Sequence, residues 1–349
     1  MISLIKILKE IYINEGGNVF KNTEFDTEDI LLANIAPTIK KFTEDLGTLF
    51  PNKKNTFAAL NNKSNWLGST GNKSQSGDLD LAYSNIHFFK DGKPDIAGWS
   101  IDENEFNSLY EKYRKSSPKA TDEAVQIRAL LDSIINKVNK AGGDMFGNNK
   151  ATNGGTLHFS YPQYTPTGEK IEDPIAQKDL RAQLDIDVGD MDWLKFRYNS
   201  KLPNIENSDV KQVEKAADDY YKNGIRDLEG LSKKYNIDIE DLKKGLIKGL
   251  HRGQLMLAMF AATGYTFKNG RGFISKETGE TIADKPEGAM EVFNQEYQPK
   301  SPLTLDIINS YNKLIDYVNN NLKPEDKSKT LDMFREALRR AGAYVPENI

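Results

Sequence analysis

The sequence predicts an α+β protein in which a mixed region, to about residue 200, precedes a mostly helical region over 201–349. Three segments with strand-like alternation, 78–83, 156–161 and 182–188, all lie in the first region. After residue 200, apolar residues recur instead at three- and four-residue spacing, which is typical of amphipathic helices. A chain of 349 residues is long enough for two domains, so we predict domains over 1–200 and 201–349.

Helices and strands alternate in the first domain. The apolar pattern over 29–47 predicts a helix that Pro37 kinks or splits. The clearest helix covers 121–141, with Thr121 as its N-cap and Gly142-Gly143 at its end. A short strand at Trp66-Leu67 precedes the strand at 78–83. The strands at 156–161 and 182–188 are expected to pair as neighbours in one sheet.

The second domain is predicted to contain helices and one β-hairpin. Helical patterns occur over 209–222, 226–235, 239–262, 304–321 and 328–341, the last two separated by Pro324. Asp238 is expected to cap the helix at 239–262. Asn269-Gly270 is a strong signal for a type I′ turn and predicts a hairpin near 265–274.

Composition narrows the classes of function. The net charge of −4 provides no overall basic field for nucleic acid. The chain has no cysteine, which excludes disulfides and thiolate metal sites and fits the reducing cytoplasm. The three histidines lie far apart without zinc-ligand spacing, and His158, between two apolar residues, is expected to be structural. The first residues predict an amphipathic helix ended by Gly16-Gly17 rather than a signal peptide, and no apolar run is long enough to cross a membrane.

The strand at 78–83 carries an acidic pair. Asp78 and Asp80 point to the same face of a strand, with Cα atoms about 6.5–7 Å apart. Two such carboxylates repel one another unless a cation lies between them. Magnesium, or manganese in its place, prefers oxygen ligands. A two-metal site usually needs a third carboxylate, which Asp185 or Asp187 on the strand at 182–188 can supply.

A loop rich in small residues precedes the acidic pair. Gly68 and Gly71 allow tight turns and a close approach of the backbone to a ligand. Backbone N–H groups, side-chain hydroxyls and one lysine can hold phosphate oxygens. The side chains concerned are Ser69, Thr70, Lys73, Ser74 and Ser76. A phosphate cradle beside a metal-binding acidic pair is what chemistry on a nucleoside triphosphate requires.

These residues resemble the nucleotidyltransferase superfamily typified by DNA polymerase beta. Leu67-Gly68-Ser69, a spacer of eight residues, Asp78-Leu79-Asp80-Leu81 and a later acidic strand match its motif. The runs at 60–90 and 180–200 are also similar to nucleotidyltransferase-like proteins of large phages. The resemblance implies a nucleotidyltransferase-type mixed sheet with flanking helices, and the host cytoplasm as location if a phage encodes the chain.

The resemblance also implies site roles. Asp78 and Asp80 would bind both metal ions, and Asp185 would complete the site and help to activate the acceptor hydroxyl. We choose Asp185 over Asp187 because it comes earlier on its strand. The implied reaction moves a nucleoside monophosphate from a nucleoside triphosphate to an acceptor hydroxyl and releases pyrophosphate. The acceptor is left open between an RNA 3′ end, a protein, a small molecule and the nucleotide itself.

Alternatives remain at several segments. The chain can instead be a catalytically silent module that binds nucleotides or nucleic acid. The segment 185–192 mimics a calcium loop, although it lacks the Glu at position 12. The stretch 231–249 resembles a helix-turn-helix. Lys244, Lys248 and Arg252 recur every four residues, as a solvated helix face or as a clamp for the triphosphate, a role that helices play in this superfamily.

Overall fold

The computed structural model describes residues 19–71, 74–118, 120–147, 152–153, 155–174, 177–268, 272–347 and 349. The predicted N-terminal helix and Lys73 lie outside this part of the chain. Helices and strands are mixed, so the α+β prediction is confirmed. The chain divides into two compact units, one formed by Gly16–Lys195 and one containing Phe196–Ile349, a few residues before the predicted boundary. In the described part of the chain, no helix is long and apolar enough to span a membrane.

The first unit contains eight strands and five α-helices among its described residues. Its strands are β1 (Ile30–Leu31), β2 (Gln75–Ser76), β3 (Asp78–Ser84), β4 (Phe89–Lys90), β5 (Lys93–Pro94), β6 (Thr152–Asn153), β7 (Thr156–Pro162) and β8 (Arg181–Gly189). Its helices are α1 (Leu32–Leu49), α2 (Lys54–Ala58), α3 (Glu103–Ser116), α4 (Asp122–Phe146) and α5 (Met191–Tyr198), the last of which runs across the division.

The main sheet of this unit has the strand order β3-β8-β7-β6. Strand β8 runs parallel to β3 and antiparallel to β7, so the sheet is mixed and the predicted pairing of β7 with β8 is confirmed. Trp66 forms a single antiparallel bridge to Leu81, and the N–H of Leu67 donates to the carbonyl of Asp80 at 2.9 Å. The predicted strand at Trp66-Leu67 is therefore reduced to one bridge along β3.

One face of the sheet forms the core of the unit. Leu79, Leu81, Leu184, Ile186, Leu157 and Phe159 are all buried and alternate with the polar residues of their strands. Phe42 of α1 packs edge-on against Phe159 and Tyr161, and Phe146 of α4 packs against the same two rings. The opposite face is thereby left to the polar side chains.

Two helix predictions in this unit need correction. Helix α1 is one continuous helix with Pro37 inside it, so the chain is not split into two helices at this proline. Helix α4 does not stop at Gly142-Gly143: Gly142 has non-helical angles at a kink, and the chain continues helically to Phe146. The left-handed Gly147 ends it instead. Thr121 caps the helix as predicted, accepting from the N–H of Ala124.

The second unit is mostly helical, as the sequence predicts. Its helices are α6 (Val210–Tyr221), α7 (Leu228–Tyr235), α8 (Ile239–Gly245), α9 (Gly249–Ala262), α10 (Pro286–Tyr297), α11 (Leu305–Ile308), α12 (Tyr311–Asn321) and α13 (Pro324–Arg340). The segments 239–262 and 304–321 are each two helices rather than one. Pro324 begins a helix instead of separating two, since the first helical position needs no N–H donor. The predicted hairpin is confirmed as β9 (Tyr265–Lys268) and β10 (Gly272–Ser275), extended by β11 (Thr281–Ala283), although its turn residues are not described.

Helix α9 is the centre of this unit. Its residues from His251 to Ala262 are buried, and it packs against α12, α13 and β9. The Nδ1 of His251 accepts from the N–H of Lys248 at 3.0 Å, and its Nε2–H donates to the carbonyl of Tyr344 at 2.9 Å. A ring nitrogen that accepts carries no proton, so the bond from Lys248 needs a neutral imidazole, and burial lowers the pKa of His251 to about 4.

Candidate metal centre

The polar face of the main sheet carries a grid of facing side chains. Across β3, β8 and β7, Asp80 lies opposite Asp185, and Asp185 lies opposite His158. The next row towards the start of β3 and β8 pairs Asp78 with Gln183. Directly opposed side chains on a sheet have Cβ atoms about 4.5–5.5 Å apart. The strand register alone therefore brings several ionisable groups to one place.

Three carboxylates converge on this face. Asp78, Asp80 and Asp185, the carboxylate cluster, each offer an oxygen within 4.8 Å of the others. Asp185 is buried, at 3% exposure, whereas Asp78 and Asp80 are half-buried. The cluster is thus closed on the β8 side and reachable from the β3 side. These are the three carboxylates that the resemblance selects.

The donor set of the cluster fits a divalent cation. Carboxylate oxygens are the ligands that magnesium and manganese prefer. Two oxygens on opposite sides of a magnesium ion, each at about 2.1 Å, lie about 4.2 Å apart. The three oxygens of the cluster lie within 4.8 Å of one another, a separation at which they could hold one ion.

The glycine loop lies directly against the cluster. Gly68 has φ +57°, and a Cβ placed on it would lie 2.9 Å from Oδ2 of Asp80. The hydroxyl of Thr70 accepts from the N–H of Asp80 at 2.8 Å and lies 3.4 Å from its carbonyl oxygen. The loop is therefore hydrogen-bonded to β3 at the acidic residue, and a side chain at position 68 would press on the Asp80 carboxylate.

The loop side chains divide into two groups. Thr70 and Ser76 are buried, and the Ser76 hydroxyl donates to the carbonyl of Ser69 at 3.3 Å. These two hydroxyls bond the backbone of the loop and its strand, and their burial argues against a contact with a phosphate. Ser69 is half-buried and Ser74 is exposed, and the carbonyl of Ser74 accepts from the N–H of Leu32.

Asp187 has a different environment from Asp185. It lies opposite Thr156, whose hydroxyl donates to Oδ1 of Asp187 at 2.6 Å. Strand β8 stays regular to Gly189, and Asp190 then accepts from the N–H groups of Asp192 and Trp193 at the start of α5. This strand-to-helix geometry contradicts the calcium-loop interpretation of 185–192.

His158 and Gln183 contact the third carboxylate. The Nδ1 of His158 lies 2.8 Å from Oδ1 of Asp185, and Nε2 of Gln183 donates to Oδ2 at 3.0 Å. Burial lowers the pKa of His158, but the hydrogen bond to Asp185 and the charges of Asp185, Asp187 and Asp78 outweigh it, so the pKa is raised overall. Sequence reasoning expected His158 to be structural and did not place it against Asp185. The available signal was its place on the polar face of a strand expected to pair with β8.

The predicted basic stripe is not one helix face. Lys244 lies in the last turn of α8, Lys248 lies between α8 and α9, and Arg252 belongs to α9. Arg252 is buried at 0% exposure, and its guanidinium donates to the carbonyls of Phe196, Arg197 and Asn199. This placement argues against a contact between Arg252 and a triphosphate.

The predicted helix-turn-helix segment contains two helices joined at the left-handed Asn236. Asp238 caps the second helix by accepting from the N–H groups of Glu240 and Asp241, as expected. Lys243 and Lys244 form ion pairs with acidic neighbours, and the Nζ of Lys248 lies 5.3 Å from the centre of the Tyr221 ring. Nucleic-acid binding by this segment stays a prediction.

Comparison of the chain with protein-family models, with curated proteins and with solved structures found no match.

Proposed function

We propose that the chain is a nucleotidyltransferase that depends on a divalent cation, magnesium or manganese. The observation that supports this most is the convergence of Asp78, Asp80 and Asp185 within 4.8 Å, directly beside the loop that begins at Gly68. When bound, the cation would neutralise phosphate charge and act as a Lewis acid. The reaction would transfer a nucleoside monophosphate to an acceptor hydroxyl and release pyrophosphate.

Different residues would bind the cation and the triphosphate. The carboxylate cluster would hold the cation, with Asp185 closing the buried side and Asp78 and Asp80 facing the entrance. The backbone of the loop and the side chain of Ser69 would bind the triphosphate, since N–H groups and hydroxyls are good donors to phosphate oxygens. The acceptor would be an RNA 3′ end, a protein, a small molecule or the nucleotide itself.

Labelled ATP, GTP, CTP and UTP, each with Mg²⁺ or Mn²⁺, test the proposal. The protein is incubated with RNA or with a host extract, and pyrophosphate and labelled products are measured. We expect the unmodified protein to release pyrophosphate with at least one nucleotide, and we expect Asp80→Asn to release none. Asp91→Asn is the matched control, because Asp91 is exposed in the β4–β5 turn and asparagine tolerates its left-handed angles.

Two results would contradict the proposal. Full activity of Asp80→Asn would show that the carboxylate cluster takes no part in the reaction. The second result is nucleotide binding in calorimetry without pyrophosphate release, whichever acceptor and cation are added. It would identify the chain as a catalytically silent binding module.

A further inference from the structure

Asp185 is the most deeply placed member of the carboxylate cluster. It lies on the central strand β8, between Asp80 on one neighbouring strand and His158 on the other. A carboxylate at 3% exposure has lost most of its hydration, so its charge needs hydrogen-bond donors from the protein. The direction of those donors also determines how the carboxylate group is turned.

Each oxygen of Asp185 has its own donor. The Nδ1 of His158 bonds Oδ1 at 2.8 Å, and the Nε2 of Gln183 bonds Oδ2 at 3.0 Å. A carboxylate oxygen accepts along two lone-pair directions. One bond to each oxygen therefore fixes the plane of the group while leaving lone pairs for a cation.

Both donors are held in place. His158 is buried and lies directly opposite Asp185 in the antiparallel pair of β7 and β8. Gln183 is buried on the same strand, and its Oε1 accepts from the N–H of Val19 at 2.9 Å. That bond occupies the carbonyl end of the Gln183 amide, so its NH₂ end must face Asp185.

We infer that His158 and Gln183 are positioning residues that hold the Asp185 carboxylate facing Asp78 and Asp80. This inference rests on the proposed function for the role of the cation, but it concerns the affinity of the cluster for the ion and not the reaction. The His158 Nδ1–H donates in one neutral tautomer and in the imidazolium alike, so the role needs no change of protonation.

Titration of the full-length protein with MnCl₂ alone, followed by calorimetry, tests the inference. His158→Leu replaces the donor at position 158 by an apolar side chain of similar size. Gln183→Met does the same at position 183. We expect Mn²⁺ binding about 10- to 100-fold weaker in His158→Leu and about tenfold weaker in Gln183→Met. His158→Asn retains an N–H donor near the Nδ1 position and should recover most of the affinity.

Thr156→Val is the matched control. Thr156 lies on β7 two residues from His158, on the same face, but its hydroxyl bonds Asp187. We expect Mn²⁺ affinity within about twofold of the unmodified protein. The concentration of Mn²⁺ for half-maximal pyrophosphate release should rise in His158→Leu in parallel with the dissociation constant, and circular dichroism shows which variants are folded.

Several outcomes overturn the inference. Unchanged Mn²⁺ affinity in folded His158→Leu and Gln183→Met would do so, as would a loss in Thr156→Val equal to that in His158→Leu. If His158→Leu does not fold, Gln183→Met carries the test by the same criterion. An unmodified protein that binds Mn²⁺ but transfers no nucleotide would refute the proposed function alone, and one that binds no Mn²⁺ would refute both.

Discussion

Replacing Gly68 by alanine tests whether the loop and the acidic strand form one site. Gly68 has φ +57°, a left-handed conformation that costs an alanine about 1–2 kcal/mol. The new Cβ would also lie 2.9 Å from Oδ2 of Asp80, closer than such atoms approach in folded proteins. The oxygen is the far end of a side chain, so the carboxylate should turn away while the backbone stays.

A second glycine separates these two effects. Gly92 has φ +74°, and a Cβ added to it would have nothing within 4 Å, so Gly92→Ala has the backbone cost alone. We expect both variants to lose about 1–2 kcal/mol of unfolding free energy. Only Gly68→Ala should also weaken Mn²⁺ binding, by about tenfold or about 1.4 kcal/mol, because Asp80 leaves the cluster.

Urea unfolding and calorimetry with MnCl₂ measure the two quantities separately. The reasoning is refuted if Gly68→Ala binds Mn²⁺ as tightly as Gly92→Ala. It is also refuted if both variants weaken binding equally, since the contact with Asp80 would then have no specific consequence.

Two further predictions concern single side chains. Asp185→Asn should abolish pyrophosphate release and Asp187→Asn should reduce it about tenfold, because only Asp185 belongs to the carboxylate cluster; single-turnover kinetics that give the reverse ranking would move the role to Asp187. Burial lowers the pKa of His251 to about 4, so the unfolded chain binds more protons there below pH 6.5. The stability from the neutral ring is complete above pH 6.5 and is lost as the pH falls towards 4. Between pH 7 and 4.5, urea unfolding followed by circular dichroism should show a loss about 2 kcal/mol larger in the unmodified protein than in His251→Gln. The three tryptophans all precede residue 196, so their fluorescence reports the first unit, and equal circular-dichroism losses in both proteins would contradict the prediction.

The spacing of apolar residues predicted which segments are helices and which are strands. It did not predict where several of them end. The strands at 78–83, 156–161 and 182–188 were predictable because apolar and polar residues alternate along each of them. The break near Leu246 between α8 and α9 was missed because the apolar residues continue through it. Helix ends depend on local capping and on tertiary packing, which a repeat of apolar residues does not record.

The burial of charged groups was also not predictable from the sequence. Arg252 follows Lys244 and Lys248 at a spacing typical of an exposed face, yet it is buried against backbone carbonyls. A four-residue repeat shows that side chains share a face only while one helix continues. The interruption between α8 and α9 therefore turns Arg252 away from the predicted stripe.

The sequence by itself determined that Asp78 and Asp80 share a strand face, because side chains on a strand alternate with a period of two. The same period placed Asp185 and Asp187 together on a second strand. Only the tertiary structure decided which of them lies beside Asp80, because the register of β3 and β8 sets Asp80 opposite Asp185. A slip of β8 by two residues would keep every side chain on its face and bring Asp187 opposite Asp80 instead. Alternation is identical in both registers, so the third carboxylate and its partner His158 depend on how strands distant in sequence align.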